Sequence, residues 1–290
     1  MGSDSHNARG QVRVPRLPPE LELAVFQLTA WFHPEMTHTL ILVCKRVCTW
    51  VEPLLYKVVQ NNSTGSEDRI LRMMTSKPPE YLQAHVRHVA LINFIDRRDV
   101  ADLLSTCTDI EDLAIWTPGD TYPALLDDMR HLTRLRHLSI NIFDLFGGYS
   151  RFQLPPVEQL PLSLVNLTHL DVFGTPTAEL CPFFGMLSAL THLAFSDIYM
   201  PLLMQHALDT CPALQVLVIV WTQSDAHEET PETPEITDPR FCTVFCTNFN
   251  EDWEMGAWDG EDFWYRAEAV IAAKHHREIK GARSSPCSTV

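Results

Sequence analysis

Apolar residues at positions i, i+3 and i+5 recur six times along the middle of the chain. The copies are Val86-Val89-Leu91, Ile110-Leu113-Ile115, Leu135-Leu138-Ile140, Leu167-Leu170-Val172, Leu190-Leu193-Phe195 and Leu214-Leu217-Ile219. Their first positions are separated by 24, 25, 32, 23 and 24 residues. Apolar residues two apart share one face of a strand, so each copy predicts a short strand whose second and third members point inward. Between copies the spacing turns helical, as in Val100, Leu103 and Leu104 or Leu202, Leu203, His206 and Ala207. Strand and helix in alternation predict an α/β fold with parallel strands. No single unit can bury its own apolar face, whereas stacked neighbours can.

The flanks follow other patterns. Residues 1–14 are polar without periodicity and are expected to be disordered. Residues 15–60 predict three helices. Pro18 and Pro19 open the first, Glu20 and Glu22 suit its positive end, and Leu21, Val25 and Leu28 form one stripe with Phe26 beside it. The second is expected over 36–44. The third covers 45–59, with Pro53 marking a break. The repeats then occupy 61–222. The 32-residue interval holds Gly147-Gly148 and Pro155-Pro156, which mark a loop; insertions of this kind map to one rim, making Phe146 and Tyr149 candidate partner contacts. Residues 223–239, rich in Glu, Thr and Pro, read as an exposed acidic loop. The stretch 240–281 reads as a last strand, Phe241 to Cys246, and a helix from Asp262 to Ile279 that caps the open end of the array. Its aromatic residues include Trp253 and Trp258, the other candidate partner contacts. Residues 282–290 read as a disordered tail.

Two features resemble known proteins. The unit of one strand and one helix per ~20–29 residues resembles the leucine-rich repeat, and the Cys-x-x-apolar turns at Cys107 and Cys211 resemble the degenerate repeats of fungal, agaric-type F-box proteins. The segment Leu17-Pro18-x-Glu20-Leu21, with Val25-Phe26, Val43-Cys44-Lys45-Arg46-Val47, Trp50 and Leu54-Leu55-Tyr56, is similar to an F-box. That resemblance implies a three-helix module docking on a Skp-type adaptor of a cullin–RING ubiquitin ligase. It places Leu17, Pro18, Leu21 and Phe26 against the adaptor, with Trp50 packing near them. The expected architecture is an F-box-like module, an irregular leucine-rich-repeat solenoid and a C-terminal capping helix. The expected role is substrate recognition for a ligase. The alternative is a repeat scaffold with no ubiquitin link, its N-terminal helices acting only as a cap.

Charge and composition narrow the partner. The formal net charge is −15, and residues 225–262 carry twelve acidic residues against the single Arg240. Such a surface repels phosphate backbones and suits a partner with a basic surface, so nucleic acid is not an expected partner. No apolar run approaches the roughly 20 residues of a membrane span, and the N-terminus lacks the apolar core of a signal peptide. A cytoplasmic or nuclear protein without a membrane contact is expected. Eight scattered cysteines with no CxxC pair fit that setting, and Cys242 and Cys246 read as buried structural thiols in preference to half of a metal site with His275 and His276.

A search for catalytic chemistry finds no glycine-rich phosphate loop, no G-x-S-x-G and no H-E-x-x-H. The chain is not expected to be an enzyme, and no catalytic residue, cofactor or metal ligand is assigned. His137, His169 and His192 each precede the second apolar position of a copy, so they should stack on the strand face opposite the core. Repeat similarity on a solvated or half-covered face is the reading for that row.

Overall fold

A computed structural model describes residues 17–61, 67–117, 125–222 and 236–283, with side chains of 67, 68 and 277–283 set aside. Residues 1–14, residues 284–290 of the tail expected over 282–290, and residues 223–235 of the acidic loop expected over 223–239 lie outside the described residues, whereas Ala282 and Arg283 of that tail are helical. The chain divides into two compact units, residues 1–55 and 56–290.

The first unit is helical. It contains α1 (Pro19–Phe32), a 3₁₀ turn (Pro34–Met36), α2 (Thr37–Leu40) and α3 (Lys45–Val51), and the next helix, α4 (Leu54–Lys57), leads out of it. Pro18 is the N-cap of α1 and Pro19 its first residue, a position where the missing amide hydrogen costs nothing. Ala30, Leu40, Val47 and Val51 form a small core, with Phe26, Ile41, Trp50 and Leu54 packed against it. Arg46 pairs with Glu22 across the unit, and its guanidinium lies 5.0 Å over the Trp50 ring. The helix expected over 36–44 is short, Thr37–Leu40, and gives way to a turn at 41–43. The one expected over 45–59 breaks at Pro53 as predicted, into α3 and α4, but its last residues, Val58 and Val59, belong to a strand.

The second unit is built on one sheet of eight parallel strands in chain order. They are β1 (Val58–Gln60), β2 (His88–Leu91), β3 (Asp112–Ile115), β4 (His137–Ile140), β5 (His169–Val172), β6 (His192–Ser196), β7 (Val216–Thr222) and β8 (Phe241–Cys246). β2 to β7 are the six periodic segments, and β8 is the expected last strand. β1 carries no complete copy of the pattern. Register places Val89, Leu113, Leu138, Leu170, Leu193 and Leu217 side by side, with Leu91, Ile115, Ile140, Val172, Phe195 and Ile219 two positions on. All twelve side chains lie in one continuous core.

Returning segments close the other side of that core. They include α5 (Glu67–Ser76), α6 (Pro79–His85), α7 (Arg97–Thr106), α8 (Leu162–Val165), α9 (Cys181–Met186) and α10 (Pro201–Thr210), with short 3₁₀ turns where helices do not fit. Asp96 caps α7 by accepting from Arg98 N at 2.8 Å. The register is also fixed just outside the strands. The carbonyl of Thr168 accepts from Thr191 N and His192 N at 3.0 and 2.9 Å, and the carbonyls of Arg87, Glu111, Arg136 and Thr191 each accept the same pair of amides from the next unit.

The C-terminal segment departs from expectation. Two helices follow β8, α11 (Phe249–Asp259) and α12 (Phe263–Arg283), the first of which no pattern announced. They lie across the open face of the sheet, where a cap on the end of the array was expected. Trp253 and Ala257 of α11 pack on Val58, Ala90 and Ala114 of β1–β3. Phe263, Trp264, Ala267 and Ile271 of α12 pack on Ala194, Val216, Val218, Val220 and the β8 residues Cys242, Val244 and Cys246. Small residues on β2 and β3 and aliphatic ones on β6 and β7 make that face apolar enough to hold the helices.

The corner between the two helices is closely fastened. Asn248 caps α11, and Gly260 ends it in the left-handed region (φ 82°). Asp252 accepts from Phe263 N at 2.8 Å and pairs with Arg266 at 2.7 Å. A Cβ on Gly256 would lie 2.6 Å from Asp262 Oδ2, so only glycine lets α11 approach this corner. Among the described residues no helix is long and apolar enough to cross a membrane.

Leu170 is fully buried at the centre of the core. Leu170→Ala is expected to lower the unfolding free energy by about 2–5 kcal/mol in urea titrations followed by circular dichroism.

Candidate functional site

Three places concentrate exposed apolar surface or buried polar chemistry. The first is α1. Leu21, Val25, Leu28 and Phe32 recur every three or four residues, which sets them in one stripe along the helix, and Leu17 lies just ahead of its N-cap; all five are 52–71% exposed. Met36, Leu42 and Val43 add further exposed apolar surface in the same unit. Of the residues expected to dock an adaptor, Leu17, Pro18 and Leu21 are exposed. Phe26 and Trp50 instead pack on the small core and hold the unit together. Val25, Leu28 and Phe32 take the outward positions.

The second is a cavity of about 430 Å³ lined by Trp116, Asp171, Phe173, Gly174, Ser196, Asp197, Ile198, Phe249 and Asn250. It lies by the carboxyl ends of β3 to β6, where open parallel sheets commonly receive ligands. Asp171 is buried and accepts hydrogen bonds from Ser139 Oγ (2.7 Å) and Ser196 Oγ (2.7 Å), while Trp116 Nε1 donates to Ser139 Oγ (2.7 Å). Burial raises the Asp171 carboxyl above its usual range, against the pull of the two hydroxyls. Asp197 stands at φ 55° and accepts from Thr222 N (2.6 Å) and Thr222 Oγ1 (2.7 Å), so one carboxylate fixes the chain reversal after β6. Among the described residues the lining contains no Lys, Arg or His.

The rim beside this cavity holds the expected contact loop. Residues 142–146 form a 3₁₀ turn ended by Gly147 at φ 96°. Phe146 is buried in the main core, so this candidate contact presents no surface to a partner. Tyr149 remains 40% exposed; its ring stacks on Phe143 at 4.3 Å, and its hydroxyl accepts from Asn141 Nδ2 (2.9 Å) and Thr175 N (3.2 Å). A Cβ on Gly174 would come within 3.1 Å of both Asn141 and Tyr149, so the loop closes over a glycine. Trp253 is buried beneath α11, and Trp258, half-buried, has the Lys57 ammonium 5.3 Å from its ring centroid. Both tryptophans serve the covering helices, so Trp253 in particular is no contact surface.

The third is the histidine row. His137 stacks on His169 at 4.0 Å and His169 on His192 at 4.1 Å. The row is half-covered, the second of the expected alternatives: His137 and His169 are partly buried and His192 is buried, with Trp264 of α12 set edge-on against His169 (5.2 Å) and His192 (5.8 Å). Burial lowers the basicity of all three imidazoles, and for His169 burial together with the neighbouring His137 and His192 brings the pKa to about 2. Glu268 of α12 reaches His192 Nε2 at 3.0 Å. A neighbouring cavity of about 180 Å³ is lined by His88, Asp112, His137, His169, Asp262 and Glu268, among others.

Cys242 and Cys246 are buried, and burial pushes both thiols up to about 11, which keeps them protonated and inert. Sequence periodicity located the histidines but not their cover, because no pattern states which face α12 will occupy. The Asp171 cluster escaped notice for a similar reason. Ser139, Asp171 and Ser196 are ordinary outward strand positions until register aligns the strands.

No protein-family model matches the chain, and no curated protein matches it in sequence.

Asp262 carries a further consequence. Burial raises its carboxyl to about 7, with the neighbouring carboxylates adding to the rise. The folded state therefore holds a proton that the unfolded chain, titrating near pH 4, has already released. The sign is that of a raised acid: its contribution to stability falls as pH rises from about 4 to about 7. Asp262→Asn, which keeps the acceptor for Tyr265 N, is expected to gain stability relative to wild type across that window and to hold level above it. Urea denaturation at a series of pH values measures the difference.

Proposed function

We propose that the chain is a partner-recognition subunit of a Skp–cullin–F-box type ubiquitin ligase, with the N-terminal helices as the link and the repeat body as the receptor. The carrying observation is the α1 stripe. The unit that bears it already has its own core, yet leaves Leu17, Leu21, Val25, Leu28 and Phe32 exposed in a continuous row. Isolated apolar residues on a surface mean little, but a contiguous stripe of large ones marks a docking face. Helices serving only as a cap would have no use for it. This favours the adaptor reading over the scaffold without a ubiquitin link.

The body suits the second role. Eight parallel strands in sequence, each followed by a returning segment, are the arrangement expected of irregular leucine-rich repeats. With α11 and α12 over the open face, the partner's place falls to the rim at the carboxyl ends of the strands. There the 430 Å³ cavity has Asp171 and Asp197 with aromatic walls and, among the described residues, no basic side chain. Each oxygen of both carboxyls is already hydrogen-bonded within the chain, so it is the acidic balance of the whole chain, more than these two side chains, that suits a partner with a basic surface. Nothing in the reading requires a catalytic group.

The test is capture of a purified Skp-type adaptor by the full chain. Wild type should retain it. Leu17→Asp/Leu21→Asp should lose it at least tenfold, with an unchanged melting temperature because both side chains are exposed. If wild type captures no adaptor, the ligase link is abandoned and the scaffold reading replaces it.

A further inference from the structure

The histidine row meets a carboxylate in a way that ordinary repeat similarity does not require. His169 and His192 are neighbours across β5 and β6, and Glu268 descends on them from α12. One ligand atom from each of the three lies within 4.8 Å of the other two. The threonine that precedes each histidine has a matching role. Thr168 Oγ1 lies 3.2 Å from the Arg136 carbonyl and 2.9 Å from His169 Nδ1. Thr191 Oγ1 lies 3.0 Å from the Thr168 carbonyl and 2.8 Å from His192 Nδ1.

A hydroxyl has one proton. Donated to the carbonyl, it leaves the threonine oxygen as an acceptor, and the imidazole must then present Nδ1–H to it. That fixes the tautomer of both rings with the lone pair on Nε2. Holding the far nitrogen by an outer hydrogen bond is how proteins orient metal-ligating histidines. The lone pair on His192 Nε2 then faces Glu268 Oε1 at 3.0 Å, so two electron-rich atoms confront each other unless a cation lies between them.

We propose that His169, His192 and Glu268 bind a first-row divalent transition-metal ion of the zinc class, through the Nε2 atoms and one carboxylate oxygen, and that the ion clasps α12 to the sheet. Two imidazoles and one carboxylate form a donor set suited to zinc and unsuited to magnesium or calcium, which prefer oxygen alone. Donor atoms around bound zinc stand ~3.3 Å apart; His192 and Glu268 already meet that spacing, and His169 closes by at most ~1.5 Å through a rotation of its ring and of the exposed Glu268 side chain. Three protein ligands leave a coordination position for water, and the 180 Å³ cavity beside His169 and Glu268 has room for it. Trp264 walls the other flank and keeps bulk solvent from the rings. The ion would join residues 76 positions apart, fastening the C-terminal helices over the repeat face.

The experiment titrates the metal-free full chain with Zn²⁺ by calorimetry and with Co²⁺ by its visible absorption, and follows the melting temperature in parallel. The expected result is one equivalent bound with a raised melting temperature, and no effect of Mg²⁺. Glu268→Gln should weaken Zn²⁺ binding about tenfold or more, and His169→Gln should abolish the cobalt bands. Glu268 is exposed, so its variant folds as wild type, checked by circular dichroism. His275→Ala/His276→Ala, which removes the other histidine pair of α12, should bind as wild type. If wild type binds no equivalent, or if Glu268→Gln binds as wild type, the His192–Glu268 contact holds only a proton and the proposal falls.

Discussion

The second unit depends on one constraint: the strands must pair in a single register. Each strand offers two inward side chains, and burial of one leucine contributes only about 1.5–3 kcal/mol, far below the entropy lost in ordering its unit. Leu138 has value only because Leu113 and Leu170 flank it, and the same holds along the row. The carbonyl before each of β2 to β6, shared between two amides of the next unit, prevents a slip of one residue. Such a slip would turn every inward leucine onto the opposite face.

That same register decides the chemistry of the open face. Once Leu138, Leu170 and Leu193 align, His137, His169 and His192 must align too, each one residue earlier. Ser139, Asp171 and the nearby Ser196 are gathered in the same way into one hydrogen-bonded cluster. Neither group needs a loop to position it. What the register cannot supply is a partner from outside the sheet, and the C-terminal helices provide that. They bring Trp264 and Glu268 to the histidines and Phe249 and Asn250 to the cavity above Asp171.

The sequence spoke clearly where one physical period dominates. The i, i+3, i+5 pattern located β2 to β7 because an inward pair on a short strand leaves a fixed imprint. β1 left an incomplete one, since Tyr56 and Val59 are followed at the last position by the polar Asn61. The face taken by α11 and α12 was unreadable for a different reason. A helix rich in aromatic residues can cover an end or a face equally well, and the choice rests on Ala90, Ala114 and Ala194, small side chains scattered over three strands that make room for Trp253 and Phe263. On α1 the stripe was legible, but Phe26 stood beside it and was assigned outward. Only the packing of Phe26 beside Ala30, Leu40, Val47 and Val51 reveals that it turns inward.

Covering the sheet's open face has a cost and a consequence. One face of the parallel sheet is free of returning segments, and the chain fills much of it with its own Trp253, Phe263 and Trp264. Those side chains exclude water from the histidines and the Asp171 carboxyl, which is why burial is the first cause of every shift there. An uncovered row of histidines would titrate near its ordinary value and coordinate weakly against solvent competition. Under α12 the imidazoles stay neutral, which is the state a metal ion requires. The covering helices therefore remove one kind of site, a wide protein-binding face, and create another, a small enclosed one whose third donor belongs to the cover itself.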